Sequence, residues 1–154
     1  MSPTTPPEEF ESLVDYIVKT YRHMSKIVEV GIGRFCGVAI ELKKRLPQVE
    51  IIVTDISEEA IEEVKRLYPT LKAVRDDVTN PNLDLYKNAD LVYSIRAPPE
   101  LWPALADLAQ KVGSALIIRP LPPESPIPMA NFRLVNFGEA RFYVRSRLEK
   151  APIY

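Results

Sequence analysis

The stretch Ile27-Val28-Glu29-Val30-Gly31-Ile32-Gly33 decides how the chain is read. A short apolar run, of the kind buried on both faces of a parallel sheet, passes into two glycines one residue apart. Glycine adopts positive φ at little cost and lets backbone approach a ligand that a Cβ would exclude. A strand running through such a turn into a helix is the nucleotide-facing unit of open α/β sheets. Alone the motif is weak, because tight strand-to-helix turns also use glycine for conformation only.

The same alternation continues outward. Val/Ile-rich runs at 51–54, 72–74, 91–95 and 115–118 predict four more strands. The segments between them carry a 3.6-residue rhythm: Phe35, Val38, Leu42 and Leu46; Ile61, Val64 and Leu67; Leu101, Leu105, Leu108 and Val112. Phe35 reads as the first core residue of its helix. Upstream, Phe10, Leu13, Val14, Ile17, Val18 and Tyr21 predict an amphipathic helix that needs a sheet to cover. Downstream, 132–137 and 141–146 flank Gly138-Glu139-Ala140 and predict an antiparallel hairpin. Right-handed crossovers then predict a single Rossmann-like, doubly wound, mostly parallel sheet that binds ligands beyond the carboxyl ends of its strands. Residues 1–9 read as a flexible proline-rich start and 10–154 as one domain.

With 154 residues the chain can bury one proper core. Its 20 basic and 21 acidic side chains nearly cancel, which removes any global electrostatic case for nucleic acid or a membrane surface. One cysteine, Cys36, and one histidine, His23, give neither a disulfide framework nor a metal cluster. Cys36 reads as a small packed side chain, and His23 as a complement to the dipole of the first helix. The first residues lack a signal-peptide pattern and no run approaches a membrane span, so a cytoplasmic location is expected. Fifteen prolines against five glycines, with 27% charged residues, are compatible with a thermophilic source.

Two acidic positions extend the glycine turn into a site. Asp55 ends the second strand, where a carboxylate can accept from both hydroxyls of a ribose; the alternative is a cap for the helix near Ser57, which Ser57 can supply alone. Asp77, followed by Val78, comes after the third strand; the alternative is a solvated Asp turn before Asn80-Pro81. Glu29-x-Gly31-x-Gly33, Asp55 and Asp77 resemble motifs I, II and III of class I S-adenosylmethionine-dependent methyltransferases. More narrowly, 28–35, Tyr93-Ser94-Ile95-Arg96-Ala97-Pro98-Pro99-Glu100-Leu101 and Ile118-Arg119-Pro120-Leu121 resemble an uncharacterised family of small archaeal proteins.

The resemblance implies strand order 3-2-1-4-5-7-6. It also implies a cofactor held by Glu29, Gly31, Gly33, Asp55, Asp77 and Val78. Two departures are visible: Phe35 replaces the third glycine, and the Asn/Asp-Pro-Pro-Tyr motif of amino-group methyltransferases is absent. The rival cofactor is NAD(P), because Gly31-x-Gly33-x-x-x-Gly37 with Asp55 also resembles a dinucleotide fingerprint. A pyrophosphate wants a turn free of negative charge, whereas the amino group of a methionine moiety welcomes Glu29.

The fourth and fifth strands end alike, Ile95-Arg96 and Ile118-Arg119, each followed by prolines and a glutamate. Two guanidinium forks at one mouth predict an anionic substrate; the alternative is that Arg96 and Arg119 pair with Glu100, Glu124 or Asp90 to brace stiff loops. Tyr93 and Ser94 are the candidates for orienting a methyl acceptor, and the proline-rich 120–131 for a rim over the pocket. On the last strand Arg141, Tyr143, Arg145 and Arg147 share a face, expected to lie uncovered and open to RNA, to a homodimer partner or to water. The combined expectation is a methyltransferase-like protein binding S-adenosylmethionine, with an anionic or nucleic-acid acceptor. The alternatives are an NAD(P)-binding regulatory module and a degenerate Rossmann protein without cofactor that serves as a subunit.

Overall fold

A computed structural model describes residues 8–120 and 131–147. The proline-rich start and rim therefore lie largely outside the described residues, as does Glu124. Strands β1 (Lys26–Val30), β2 (Glu50–Asp55), β3 (Lys72–Arg75), β4 (Leu91–Ser94) and β5 (Ala115–Ile118) are parallel neighbours; β6 (Arg133–Phe137) and β7 (Ala140–Arg145) complete the sheet antiparallel. The order is β3-β2-β1-β4-β5-β7-β6, as expected. The switch in direction lies between β1 and β4, the two strands that carry the glycine turn and the first Ile-Arg loop.

Helices cover both faces because β1, β4 and β5 are apolar in both directions. On one face α1 (Glu8–Thr20), α2 (Gly37–Arg45) and α3 (Glu58–Leu67) pack Leu13, Ile17, Val38, Leu42, Ile61 and Val64 against Ile27, Ile51, Val53 and Tyr93. On the other, α4 (Trp102–Val112) packs Trp102, Leu105 and Leu108 near Val28, Val92, Leu116 and Ile118. Each buried Leu, Ile or Phe of these layers contributes about 1.5–3 kcal/mol of transfer free energy. Among the described residues no helix is long and apolar enough to cross a membrane.

Three expectations change at the level of elements. Helix α2 starts at Gly37, so Phe35 belongs to the preceding loop and is not its first core residue. The Phe35 ring occupies the space a Cβ on Gly37 would need and packs, tilted, on Phe10 of α1 at 5.0 Å between centroids. The hairpin turn is two residues, Gly138-Glu139, with positive φ at Gly138, the arrangement that suits the twist of paired strands. Ser12 of α1 accepts a hydrogen bond from its Glu139 N–H at 3.0 Å. Finally, the basic face of β7 is partly covered. Arg145 is only 7% exposed and donates to the Ala106 carbonyl of α4 at 2.7 Å, and Tyr143 packs on Trp102. Helix α4 reaches over β5 onto β7, a placement that strand periodicity does not reveal.

Candidate functional site

The site begins with the register of β1 and β4. Glu29 and Tyr93 are direct neighbours in the parallel ladder and point to the same face. Both are fully buried, and the Tyr93 hydroxyl donates to Glu29 Oε1 at 2.6 Å. Glu29 Oε2 has no partner. Burial pushes the Glu29 carboxyl up to about 8, against the opposing effects of the Tyr93 hydrogen bond and the Arg96 charge. Burial also raises the Tyr93 phenol well above its usual range, with Glu29 beside it adding to the rise. Tyr93 is thus a positioning residue behind the turn, which corrects the expectation that it faces an acceptor.

Above this pair the chain turns through Gly31 (φ +76°) and Gly33 (φ +57°), conformations that side-chain-bearing residues adopt at a cost. Thr54 at the end of β2 accepts from both Gly31 N–H (2.9 Å) and Ile32 N–H (3.0 Å) through its carbonyl, which fixes the turn. A Cβ on Gly31 would meet only Ser94 Oγ, 3.9 Å away, so the outer side of this glycine is open. Ser94 is buried and donates to the Val30 carbonyl at 2.8 Å, so its hydroxyl also serves the turn.

Asp55 does two structural jobs that its sequence position does not announce. Its Oδ2 accepts from Gly33 N–H at 2.8 Å and its Oδ1 from Ser57 N–H at 2.8 Å. Ser57 itself caps α3, accepting from Ala60 N–H at 3.1 Å, so Asp55 is not needed there. Asp77 Oδ1 accepts from the N–H (2.9 Å) and hydroxyl (2.7 Å) of Thr79, the Asp turn foreseen as its alternative, and these bonds lower its carboxyl below the usual value. Val78 is buried against the α4 layer.

The twin arginines part company. Arg119 forks onto the Glu9 carboxylate of α1 through Nε and Nη2, donates to the Ile95 carbonyl at 3.1 Å, and lies 4.9 Å from the Phe10 ring centroid. It is a brace, but its acid is Glu9 and not Glu100, Glu124 or Asp90. Asp90 serves the opposite end of the sheet, accepting from Ser25 N–H and Lys26 N–H and pairing with Arg147. Arg96 is exposed and extends over the glycine turn, with Nη1 3.2 Å from where a Cβ on Gly33 would stand.

Sequence reasoning missed a second buried set under the site. The Tyr86 hydroxyl donates to Asp76 Oδ2 at 2.6 Å and lies 3.4 Å from Thr54 Oγ1, which donates to the Glu29 carbonyl at 3.3 Å. The signal was present in Asp76, adjacent to the chosen Asp77, but nothing local separates the two acids. Cys36 is buried beside the site, and burial, with Glu29 and Glu63, pushes its thiol up to about 12. It is a packed side chain and no thiolate. His23 lies in the exposed turn beyond α1.

Among solved structures, the chain is similar to a TehB-like SAM-dependent methyltransferase from Corynebacterium glutamicum, at 17% identity and a TM-score of 0.63, covering 88% of this chain and 86% of that one. It is also similar to the plantazolicin methyltransferase BpumL in complex with SAH, at 21% identity and a TM-score of 0.57 over 73% of this chain; the chain spans 46% of that methyltransferase. These likenesses show a methyltransferase-like Rossmann fold. In sequence, a UPF0146 protein of Methanocaldococcus jannaschii is 44% identical over 137 residues, 88% of this chain and 95% of that protein. A UPF0146 protein of Archaeoglobus fulgidus is 42% identical over 135 residues, 88% of this chain and 93% of that protein. The model of the Uncharacterised protein family (UPF0146) matches residues 10–147, and the chain belongs to that family.

Proposed function

We propose that the protein binds S-adenosylmethionine over the glycine turn and acts as a methyltransferase. The observation that carries this reading is Glu29: a fully buried carboxyl whose Oε2 has no partner, beneath a turn whose outer side is open. Buried polar atoms are rarely left unpaired, and a cationic ammonium would satisfy this one. Asp55 holds two backbone N–H groups, and a carboxylate keeps further lone-pair sites for ribose hydroxyls. Asp77 and Val78 are assigned to the adenine. The cofactor, when bound, supplies an electrophilic methyl group, and the chain's part is to bind and orient.

NAD(P) is less well supported. The dinucleotide fingerprint needs its third glycine for close packing of helix on strand, but the Gly37 position is crowded by the chain's own Phe35. Three residues, Arg34 to Cys36, also separate Gly33 from the start of helix α2, so its N-terminus is not formed by the glycine turn itself. Burial raises the Glu29 carboxyl to about 8, and an ammonium beside it would favour its ionised, accepting form, so the case against pyrophosphate rests on this geometry more than on charge.

An anionic acceptor would meet Arg96 alone, since Arg119 is committed to Glu9. Contact with RNA or a second copy would use Arg141 and Arg147, the exposed members of the basic stripe. Calorimetric titration with S-adenosylhomocysteine, NAD and NADP tests the cofactor. Heat with S-adenosylhomocysteine supports the reading, heat only with a nicotinamide dinucleotide overturns it in favour of a regulatory module, and silence from all three leaves a fold without cofactor.

A further inference from the structure

The edge of the sheet opposite the glycine turn carries a second concentration of charge. There, at the amino ends of the parallel strands, the chain leaving α1, the residue before β4, the start of β5 and the outer ends of β6 and β7 enclose a cavity of about 330 Å³. That is the lower end of the range of small-ligand pockets, about 300–1,000 Å³. Its walls carry Arg22, His23, Arg133 and Arg147 against one carboxylate, Asp90. The carboxylate is already engaged: Oδ2 accepts from Ser25 N–H at 2.7 Å and Lys26 N–H at 3.1 Å, and Oδ1 from Arg147 at 3.3 Å. Arg147 is held in place further by the Gly113 carbonyl at 2.8 Å. Arg22 donates from Nε to the Lys19 carbonyl at 3.3 Å. Among the described residues neither Arg22 nor Arg133 meets a carboxylate. Tyr21 also lines the cavity, and burial, with Tyr16 beside it and against the opposing charge of Arg133, pushes its hydroxyl up to about 12, so it stays a neutral donor.

We propose that this cavity is a second ligand site, which takes the phosphate group of a small phosphate monoester. Arg133 and Arg22 supply the uncommitted guanidinium groups, Arg147 a fixed one, and Tyr21 a neutral donor. Donors that arrive from three separate segments suit a group with oxygens on several sides and a charge near two, whereas a carboxylate offers two oxygens in one plane. A small molecule fits better than a nucleic-acid backbone because the cations do not run on into a stripe. Arg141 lies at the hairpin end of β7, the far edge of the sheet, and Arg145 between them is buried on the Ala106 carbonyl. Strand periodicity places these arginines on one face with Arg147; the fold parts them and turns Arg147 to the amino edge. The site stands apart from the glycine turn, whatever that turn binds.

His23 is the chain's one histidine, so its imidazole proton signals in an NMR spectrum report on the cavity directly. The folded full-length protein is titrated with sodium phosphate and with glycerol phosphate, at fixed pH and with ionic strength held constant by sodium chloride. Both should move the His23 signals along a saturating curve with a Kd of about 1 mM or tighter. Arg133→Ala and Arg22→Ala, each at an exposed position, should weaken both ligands about tenfold or more, the size of one lost charged hydrogen-bonded pair. Arg66→Ala, which removes the same charge from the exposed side of α3, should change neither. A shift that never saturates, an equal shift from acetate at the same ionic strength, or equal behaviour of Arg133→Ala and Arg66→Ala overturns the site. A short oligouridylate that binds more tightly with each added residue would assign the cations to a nucleic-acid backbone and overturn it likewise.

Discussion

At the scale of single residues, Glu29 is the most consequential side chain. Its carboxyl, ordinarily titrating near 4.5, is raised to about 8 by burial, so the folded protein holds a proton that the unfolded chain releases between those values. The stability from this neutral carboxyl is complete below about pH 4.5 and is lost as pH rises through about 8. Thermal unfolding measured across that window should show a decline that Glu29→Gln removes. Burial raises the neighbouring Tyr93 and Cys36 groups above this range, so neither of them titrates with Glu29. Tyr93→Phe should cost about 1–3 kcal/mol in denaturant unfolding, because it leaves the carboxyl with neither oxygen bonded. The placement of Glu29, Gly31, Gly33 and Asp55 around one turn was legible from residue type and position at strand ends, while their hold on a cofactor is the proposal made above. The Tyr93 hydroxyl was misjudged because facing an acceptor and facing β1 differ only by strand register.

At the scale of elements, the loop between β1 and α2 is shaped by one aromatic ring. Gly→Ala at a helix start ordinarily gains up to about 1 kcal/mol. At Gly37 the new methyl would meet the Phe35 ring, so Gly37→Ala should destabilise the protein, and the same change in a Phe35→Ala background should become neutral or favourable. A double-mutant cycle in denaturant reads this directly. Helix α1 is fastened through its first turns, by Ser12 to the hairpin and by Glu9 to Arg119, both at the carboxyl edge of the parallel strands. Arg119→Ala should therefore accelerate amide hydrogen exchange in the first turn of α1 and around Phe35, with little change in β2 and β3. The periodicity of α1 was plain in the sequence. Its docking was not, since Glu9 and Arg119 stand 110 positions apart and many acids could have met that arginine.

At the scale of the whole molecule, the strand order follows from alternation, crossover handedness and the terminal hairpin, all readable as pattern. Coverage of the sheet by α4 is a matter of lateral placement, which is why Arg145 was expected in the open and is buried. The topology brings β1, β2 and β4 side by side, so that Glu29, Asp55 and Arg96, from three separate segments, surround one turn. That convergence is the central claim, and a crystal structure of the complex with S-adenosylhomocysteine tests it most directly. The account predicts ribose hydroxyls on Asp55, the adenine beside Asp77 and Val78, and the amino group on Glu29 Oε2. A nucleoside bound away from the glycine turn, or bound there with Glu29 Oε2 still unpartnered, would contradict it.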